Sequence, residues 1–558
     1  MINSIRHFFL YTTLLLAAVF FFSCKDRKKI GEPVVVEKPA EINQSATELL
    51  QGTLTGMLHG DSIKGSPAIR NLSILKEIYE AGDYLPLWTS EGNWTPKGDS
   101  LYTLISGCRY YGLFPSDYFK PLLDTLRGKL VTDTLNNKNK LDASLWAQTD
   151  LYLTAGFVQM IKDLKIGRLL QDSADLKKEA AMNSAFFLKQ VSAFGTSGLD
   201  SFTYSFEPGH TGYKELKEAM KTFVETGDFR AYSYVNAKDS LNLMANVSKR
   251  LNEEDSIEVL GDDSISVATA IKEYQGLNKM KQDGRISAAL LYKLNETDLS
   301  IFTKLAINLD RYKLLPATLP SQYIWVNIPG YYLFVKENDT IRLRSKVVVG
   351  KSGTRTPVLS SSITDMITYP QWTIPASIIK KDILPGLKSD PSYTLKKGYS
   401  LVDRDGLEVD PYTVAWAKYE TEIPYKVVQG SGDDNALGVL KFNFSNRFSV
   451  YLHDTNQRYL FSKKERSLSH GCVRVQKWDS LALYILRNDS LNSNNATPVD
   501  SLNAWLLRKE KHVIPVRKRI PLYIRYFTSE AKDNKIVFYD DIYGDDRRLR
   551  ERFFKNKN

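Results

Sequence analysis

Apolar positions change period along the chain, and the change separates a helical front from a strand-rich back. Over 46–245 the spacing is helical. NLSILKEIYEAGDYLPLW sets Leu72, Leu75, Ile78 and Tyr79 on one stripe, and DLYLTAGFVQMIKDLKIGRL at 150–169 repeats the pattern. Trp88, Trp94, Trp146 and the Tyr110-Tyr111 pair read as packing rather than sugar contacts. A shorter module follows at 246–300. Val267, Ile271 and Tyr274 share a helical face there, and Gln282-Asp283-Gly284 turns into a helix at about 287–294. From 315 to 528 the period is two: YIWVNIP, YYLFVKEN, IRLRSKVVVG and KFNFSNRFSVYLH predict a mainly antiparallel β domain. Between Ile374 and Lys426 that pattern breaks into helix and turn signals. This predicts a helical insertion at about 376–425, large enough to close as a lid. QKWDSLALYIL after Cys472 is helical, and IPLYIRYFTSEAKDNKIVFYDD gives a hairpin. Residues 529–558 hold the hairpin's end and a charged tail expected to be loose. The fold class is multidomain α+β.

The first 24 residues read as an address. FFLYTTLLLAAVFFF at 8–22 is too short for a comfortable membrane span and stops at Ser23-Cys24, before a charged run. A small residue before a cysteine there resembles a lipoprotein cleavage site, making Cys24 the lipidated first residue of the mature chain. The alternative is a plain N-terminal anchor; both place the rest outside the cytoplasm, held to a membrane. Residues 25–45 are polar and aperiodic and predict a flexible tether.

Charge adds little. The chain carries 75 Lys+Arg against 64 Asp+Glu, and Arg6 is the only one of these in the first 24 residues, so the remainder has a net charge of +10. Spread over such a length this is mild, and no dense basic run with interleaved aromatics suggests nucleic acid. Cysteine is more informative. With Cys24 lipidated, only Cys108 and Cys472 remain, which excludes a disulfide framework. Cys108 lies in an apolar helical pattern and reads as a small buried hydrophobe.

The stretch Tyr451–Val475 concentrates scarce reactive residues: Cys472, His453 and His470, with strand-like alternation on either side. A thiol attacks as thiolate, so it needs a base or a positive charge nearby. His453 and His470 are both candidates for the base, and Arg474 adds charge. Gly471 lets the backbone approach a substrate and can turn the Gly471 and Cys472 amides towards a developing oxyanion. A structural cysteine is the plain alternative. A zinc site is disfavoured, because two histidines and one cysteine lack any CxxC or HExxH spacing. No metal or other cofactor is expected.

These residues resemble the L,D-transpeptidases of bacterial cell-wall synthesis, whose pattern is a His, about fifteen residues, then Ser/Thr-His-Gly-Cys, a hydrophobic residue and Arg or Asn. Here fifteen residues separate His453 from Ser469-His470-Gly471-Cys472-Val473-Arg474. HDT at 453–455 and SHGCVRV at 469–475 are similar to the large multidomain branch, as are VNIPGYYL, VVVGKSGTRTP, YPQWTIPASI and DNALGVLKFNF, and upstream YLPLW, GLFPSDY and DLKIGR. The resemblance implies a helical scaffold at 46–245, a peptidoglycan-binding-like domain at 246–300 and a catalytic domain at 315–528 whose insertion caps the active site. It implies Cys472 as nucleophile, His453 as general base, His470 and Gly471 at the oxyanion pocket, and Arg474 on a substrate carboxylate. Ser469, Tyr451 and Asp454 are expected beside the substrate, with Asp454 able to bias the His453 tautomer. The implied reaction in the periplasm joins two peptidoglycan stem peptides by a 3→3 cross-link, with carbapenem-type β-lactams as covalent inhibitors. Two other readings stay open: an L,D-carboxypeptidase, with water replacing the second amine, and a non-catalytic wall-binding scaffold.

Overall fold

The computed structural model describes residues 28–136, 140–169, 173–261 and 263–554. The leader and Cys24 lie outside them. The chain divides into two compact units, one built from the sequence up to Ala317 with 531–536 and 549–558, the other from 318–530 with 537–548. Helical front and β-rich back together make the α+β architecture that the change of period predicts.

In the first unit the helix Ala143–Lys165 is buried along most of its length, and Asp142 caps it by accepting from the Ser144 N–H at 2.9 Å. Asp150 within it explains the YLPLW segment. Its carboxylate, fully buried, accepts from Tyr79 Oη at 2.7 Å, the Leu87 N–H at 2.9 Å, the Trp88 N–H at 2.7 Å and the Thr89 N–H at 3.0 Å. Trp88, also fully buried, donates its indole N–H to Thr154 Oγ1 at 2.9 Å. Trp88 is therefore core, as are Tyr111 and Trp146. DLKIGR is likewise structural: Arg168 bonds Tyr118 Oη at 2.9 Å and lies 3.3 Å from Asp163.

Two expectations fail at the ends of this unit. The tether predicted over 25–45 is folded across its described part. Val35–Val36 pairs with Leu141–Asp142, and a helix runs Pro39–Leu58. Pro39 suits a first helical position, and Ile42 and Ala46, four residues apart, form the start of a buried stripe that polar neighbours hide in the sequence. The tail expected to be loose forms a helix, Asp545–Phe553, with acids in its first turn and arginines in its last, the order the helix dipole favours. Phe554 beyond it is buried, its ring 5.7 Å from that of Phe114.

The short module is three helices, Leu243–Asn252, Ser264–Leu277 and Ala288–Asn295, starting slightly ahead of the expected 246. Val247, Leu251, Val267, Ile271, Tyr274, Leu290 and Leu294 give them a core of their own.

The second unit is organised by a ten-stranded mixed sheet. Its main strands are β1 (Gln322–Asn327), β2 (Tyr332–Glu337), β3 (Thr340–Gly350), β4 (Leu359–Thr368), β5 (Leu440–Phe444), β6 (Leu452–His453), β7 (Val473–Val475) and β8 (Pro521–Arg525). They run in the order β5-β6-β7-β3-β2-β1-β8-β4, and β4 pairs back onto β5, so the sheet closes on itself. Most pairings are antiparallel; β6 with β7 and β1 with β8 are parallel. Period-two alternation sends Leu440, Phe442, Leu452, Val473 and Val475 into one core, leaving their neighbours for the opposite face. The insertion has a separate core around Ile379, Ile383, Leu387, Leu401, Trp416 and Val427. It is not purely helical: Trp372–Thr373, Tyr399–Val402, Glu408–Val409 and Lys426–Gln429 form a four-stranded sheet, so its outer strands lie just beyond the expected 376–425. The strand signals there are too short to stand out from turns.

Asp150→Ala should lower the stability of the helical unit by about 3 kcal/mol or more, since several buried donors lose their acceptor at about 1–3 kcal/mol each. Denaturant unfolding followed by far-UV circular dichroism measures this. A loss below about 1 kcal/mol would mean that the carboxylate does not organise the YLPLW turn.

Candidate active site

Three adjacent strands bring the predicted residues together. β5 pairs with β6 so that Lys441 stands opposite His453, and β6 runs parallel to β7 so that His453 stands opposite Arg474. One step back along the same face, the Val473 N–H donates to the Tyr451 carbonyl at 3.0 Å, which sets Tyr451 beside Cys472. Lys441, Tyr451, His453, Cys472 and Arg474 thus share one face, opposite the hydrophobic core. The Tyr451 and His453 rings lie 5.6 Å apart edge to face, and the Lys441 ammonium sits 4.1 Å from the Tyr451 ring centroid.

The backbone around Cys472 is held tightly. Gly471 has φ +120, a conformation that a side chain would strain, and a Cβ there would meet the Arg355 carbonyl at 3.4 Å. Ser469 Oγ donates to the Cys472 carbonyl at 2.6 Å and accepts from the Gly471 N–H at 3.1 Å. Thr356 Oγ1 donates to the Gly471 carbonyl at 2.8 Å, while Thr354 Oγ1 and the Lys351 N–H both donate to the Ser469 carbonyl. The VVVGKSGTRTP segment is the cradle of the nucleophile loop.

Several expected roles change. Ser469 is buried and staples the loop, so it is not a substrate contact. The Gly471 amide is taken by Ser469, whereas the Cys472 amide has no partner among the described residues. His470 is exposed and turns to the insertion, its Nε2 lying 3.0 Å from Asp382 Oδ2, instead of shaping the pocket beside Cys472. Asp454, next to His453, turns its side chain to the other face of the strand. Its buried carboxylate accepts from the Val439 N–H at 3.1 Å and pairs with Arg458 at 3.0 Å.

The electrostatics follow from burial. Burial raises the Cys472 pKa, opposed by hydrogen bonds from Tyr451 and the charges of Lys441 and Arg474, so the resting group is a thiol. His453 is 4% exposed, and burial together with the Arg474 charge lowers its pKa to about 3. It rests as neutral imidazole, with Nδ1 unpartnered. Arg474 is half-buried; Nη1 donates to Gln457 Oε1 at 2.9 Å and Nε has no partner, leaving donor capacity for an anion. Trp372, at the insertion's edge, opposes the rise that burial imposes on the Tyr451 pKa, and its buried indole N–H has no hydrogen-bond partner among the described residues. Cys108, by contrast, is fully buried, and burial drives its pKa far up. Lys441, Trp372 and Asp382 went unnoticed in the sequence. For Lys441 a signal exists: in KFNF the residues alternating with Phe442 and Phe444 must face the same way as those alternating with Leu452.

Residues 321–490 match the L,D-transpeptidase catalytic domain family, and residues 73–220 match a scaffold domain. A Haemophilus influenzae protein named "Putative L,D-transpeptidase" is 37% identical over 250 residues, 45% of this chain and 49% of the relative; the chain thus spans about half of that protein's length. Solved L,D-transpeptidases from Stackebrandtia nassauensis (15% identity, 46% of this chain and 91% of that one, TM-score 0.15) and Mycobacterium smegmatis (11%, 37% and 58%, 0.18) are also similar. Residues 321–490 are thus similar to L,D-transpeptidase catalytic domains, and residues 73–220 to a scaffold domain.

The buried imidazole makes stability depend on pH. An unfolded histidine titrates near about 6.5, whereas folded His453 titrates at about 3. Its contribution is therefore complete above about pH 6.5 and is lost as pH falls towards 3, at about 1.4 kcal/mol per unit. Between pH 7 and 5 the β-rich unit should lose about 2 kcal/mol that His453→Gln does not lose. Denaturant midpoints at the two pH values test this; equal slopes for parent and variant would contradict a buried neutral imidazole.

Proposed function

We propose that this protein is a cysteine-dependent L,D-transpeptidase that forms 3→3 cross-links in peptidoglycan. The observation that carries the reading is the shared face of Cys472, Tyr451, His453 and Arg474 within a domain of that family. With substrate bound, Cys472 passes its thiol proton to His453 and the resulting thiolate attacks the carbonyl of the third residue of a tetrapeptide stem. The oxyanion forms at the Cys472 amide, the tetrahedral adduct collapses to a thioester, and terminal D-Ala leaves with a proton from His453. The amine of a second stem then attacks the thioester, gives up a proton to His453 and releases the thiol. Arg474 holds a stem carboxylate, and the insertion excludes water so that amine, not hydroxide, resolves the intermediate. In this reading Cys24 anchors the chain to a membrane facing the periplasm, and the 246–300 module holds the enzyme against the wall.

A soluble form incubated with disaccharide-tetrapeptides should yield cross-linked dimers and free D-Ala, and a carbapenem should add its mass to the intact protein. Cys472→Ala should abolish both while keeping the parent's circular dichroism, and Cys108→Ala should keep both. Tripeptide monomers without dimers would replace this reading with the carboxypeptidase; turnover surviving in Cys472→Ala would remove the nucleophile.

A further inference from the structure

Lys441 is a half-buried ammonium with no carboxylate within ion-pair distance and no hydrogen-bond acceptor among the described residues. Such a group is costly unless an anion arrives to meet it. Its position indicates which anion. It stands opposite His453 on the neighbouring strand and lies 4.1 Å from the ring of Tyr451, which the strand register sets beside Cys472. We propose that Lys441 is a positioning residue for the nucleophile: acting over the Tyr451 ring, it holds Cys472 as thiolate once the proton has left.

A cation over the ring draws electron density from the phenol and makes its O–H a stronger donor to the thiolate. Ionisation forms no covalent bond: the sulfur keeps the electron pair and the proton passes to water. Burial lowers the ammonium's pKa and the sulfur opposes that shift, as an interacting pair requires. The other groups facing this cluster are Arg474, which acts on both Cys472 and His453, Asp365 from β4, which acts on Lys441, and Tyr459, which acts on Arg474. His453 cannot supply the same help at rest, being neutral.

The proposal rests on Cys472 being the reactive group of the function proposed above, but its test needs no wall substrate. Alkylation of the full chain by iodoacetamide, mapped to Cys472 by peptide mass and followed against pH, reports the thiolate fraction. Lys441→Met should shift the profile upward by about one pH unit, slowing alkylation at pH 7 about tenfold with an unchanged plateau at high pH. Lys441→Arg should follow the parent, and Tyr451→Phe should shift in the same direction as Lys441→Met. If Lys441→Met does not fold, Lys441→Gln is held to the same shift. Superimposed profiles for the parent and a folded neutral variant would overturn the proposal, as would a lower plateau without displacement, which is steric loss. A shifted profile in a protein that makes no cross-links would uphold it and count against the reaction alone.

Discussion

The site depends on one constraint, the backbone of Ser469–Cys472. Gly471 must hold φ +120, and every hydrogen bond around it serves that geometry. Ser469 Oγ bridges the Gly471 amide and the Cys472 carbonyl, and Thr356 takes the Gly471 carbonyl. Thr356 is itself fixed, since its N–H donates to Tyr543 Oη, which donates in turn to the Gly350 carbonyl at the end of β3. A buried polar group without a partner costs about 1–3 kcal/mol, so these bonds exclude other loop conformations more strongly than they add net stability. The consequence is a division of labour. Groups that look free in the motif are committed to shape, and the Cys472 amide is the one left over.

On that frame the charges are arranged asymmetrically. Lys441 and Arg474 lower the energy of a thiolate at Cys472 and raise that of an imidazolium at His453. Direct proton transfer from sulfur to His453 is therefore unfavourable while both cations lack an anion. A carboxylate placed against Arg474 would cancel one of them and raise the basicity of His453 when substrate is present. The low resting basicity of His453 thus ties proton transfer to occupancy instead of opposing it.

How much of this was legible in the sequence depended on range. Period-two alternation located β1 to β3 and the strands around Cys472, because a sheet with one buried face writes its geometry into adjacent residues. The same rule places His453 and Tyr451 on one face and Asp454 on the other, which already weakens any pairing of Asp454 with His453. What sequence order could not supply was strand adjacency: β5 closes the sheet against β4 far upstream, whereas Lys441 is set over Tyr451 by the nearer pairing of β5 with β6. The folded start at Val35–Leu58 was hidden for a different reason. Ile42 and Ala46 are too few to register as a stripe until the core that receives them is known. Ser469 and Gly471 were misassigned because the motif names residues without saying which polar atoms the loop itself has taken.

The insertion meets the rest of its unit at the elements just described. Asp382 contacts His470, two residues before Cys472, and Lys381 reaches the Gly353 carbonyl in the cradle. Its own core is separate from that of the closed sheet, so these few polar contacts are what tie its edge to the loop before Cys472 and to that loop's cradle. A shift of the insertion would therefore break the His470–Asp382 pair and the Lys381–Gly353 bond, both within the surroundings of Cys472.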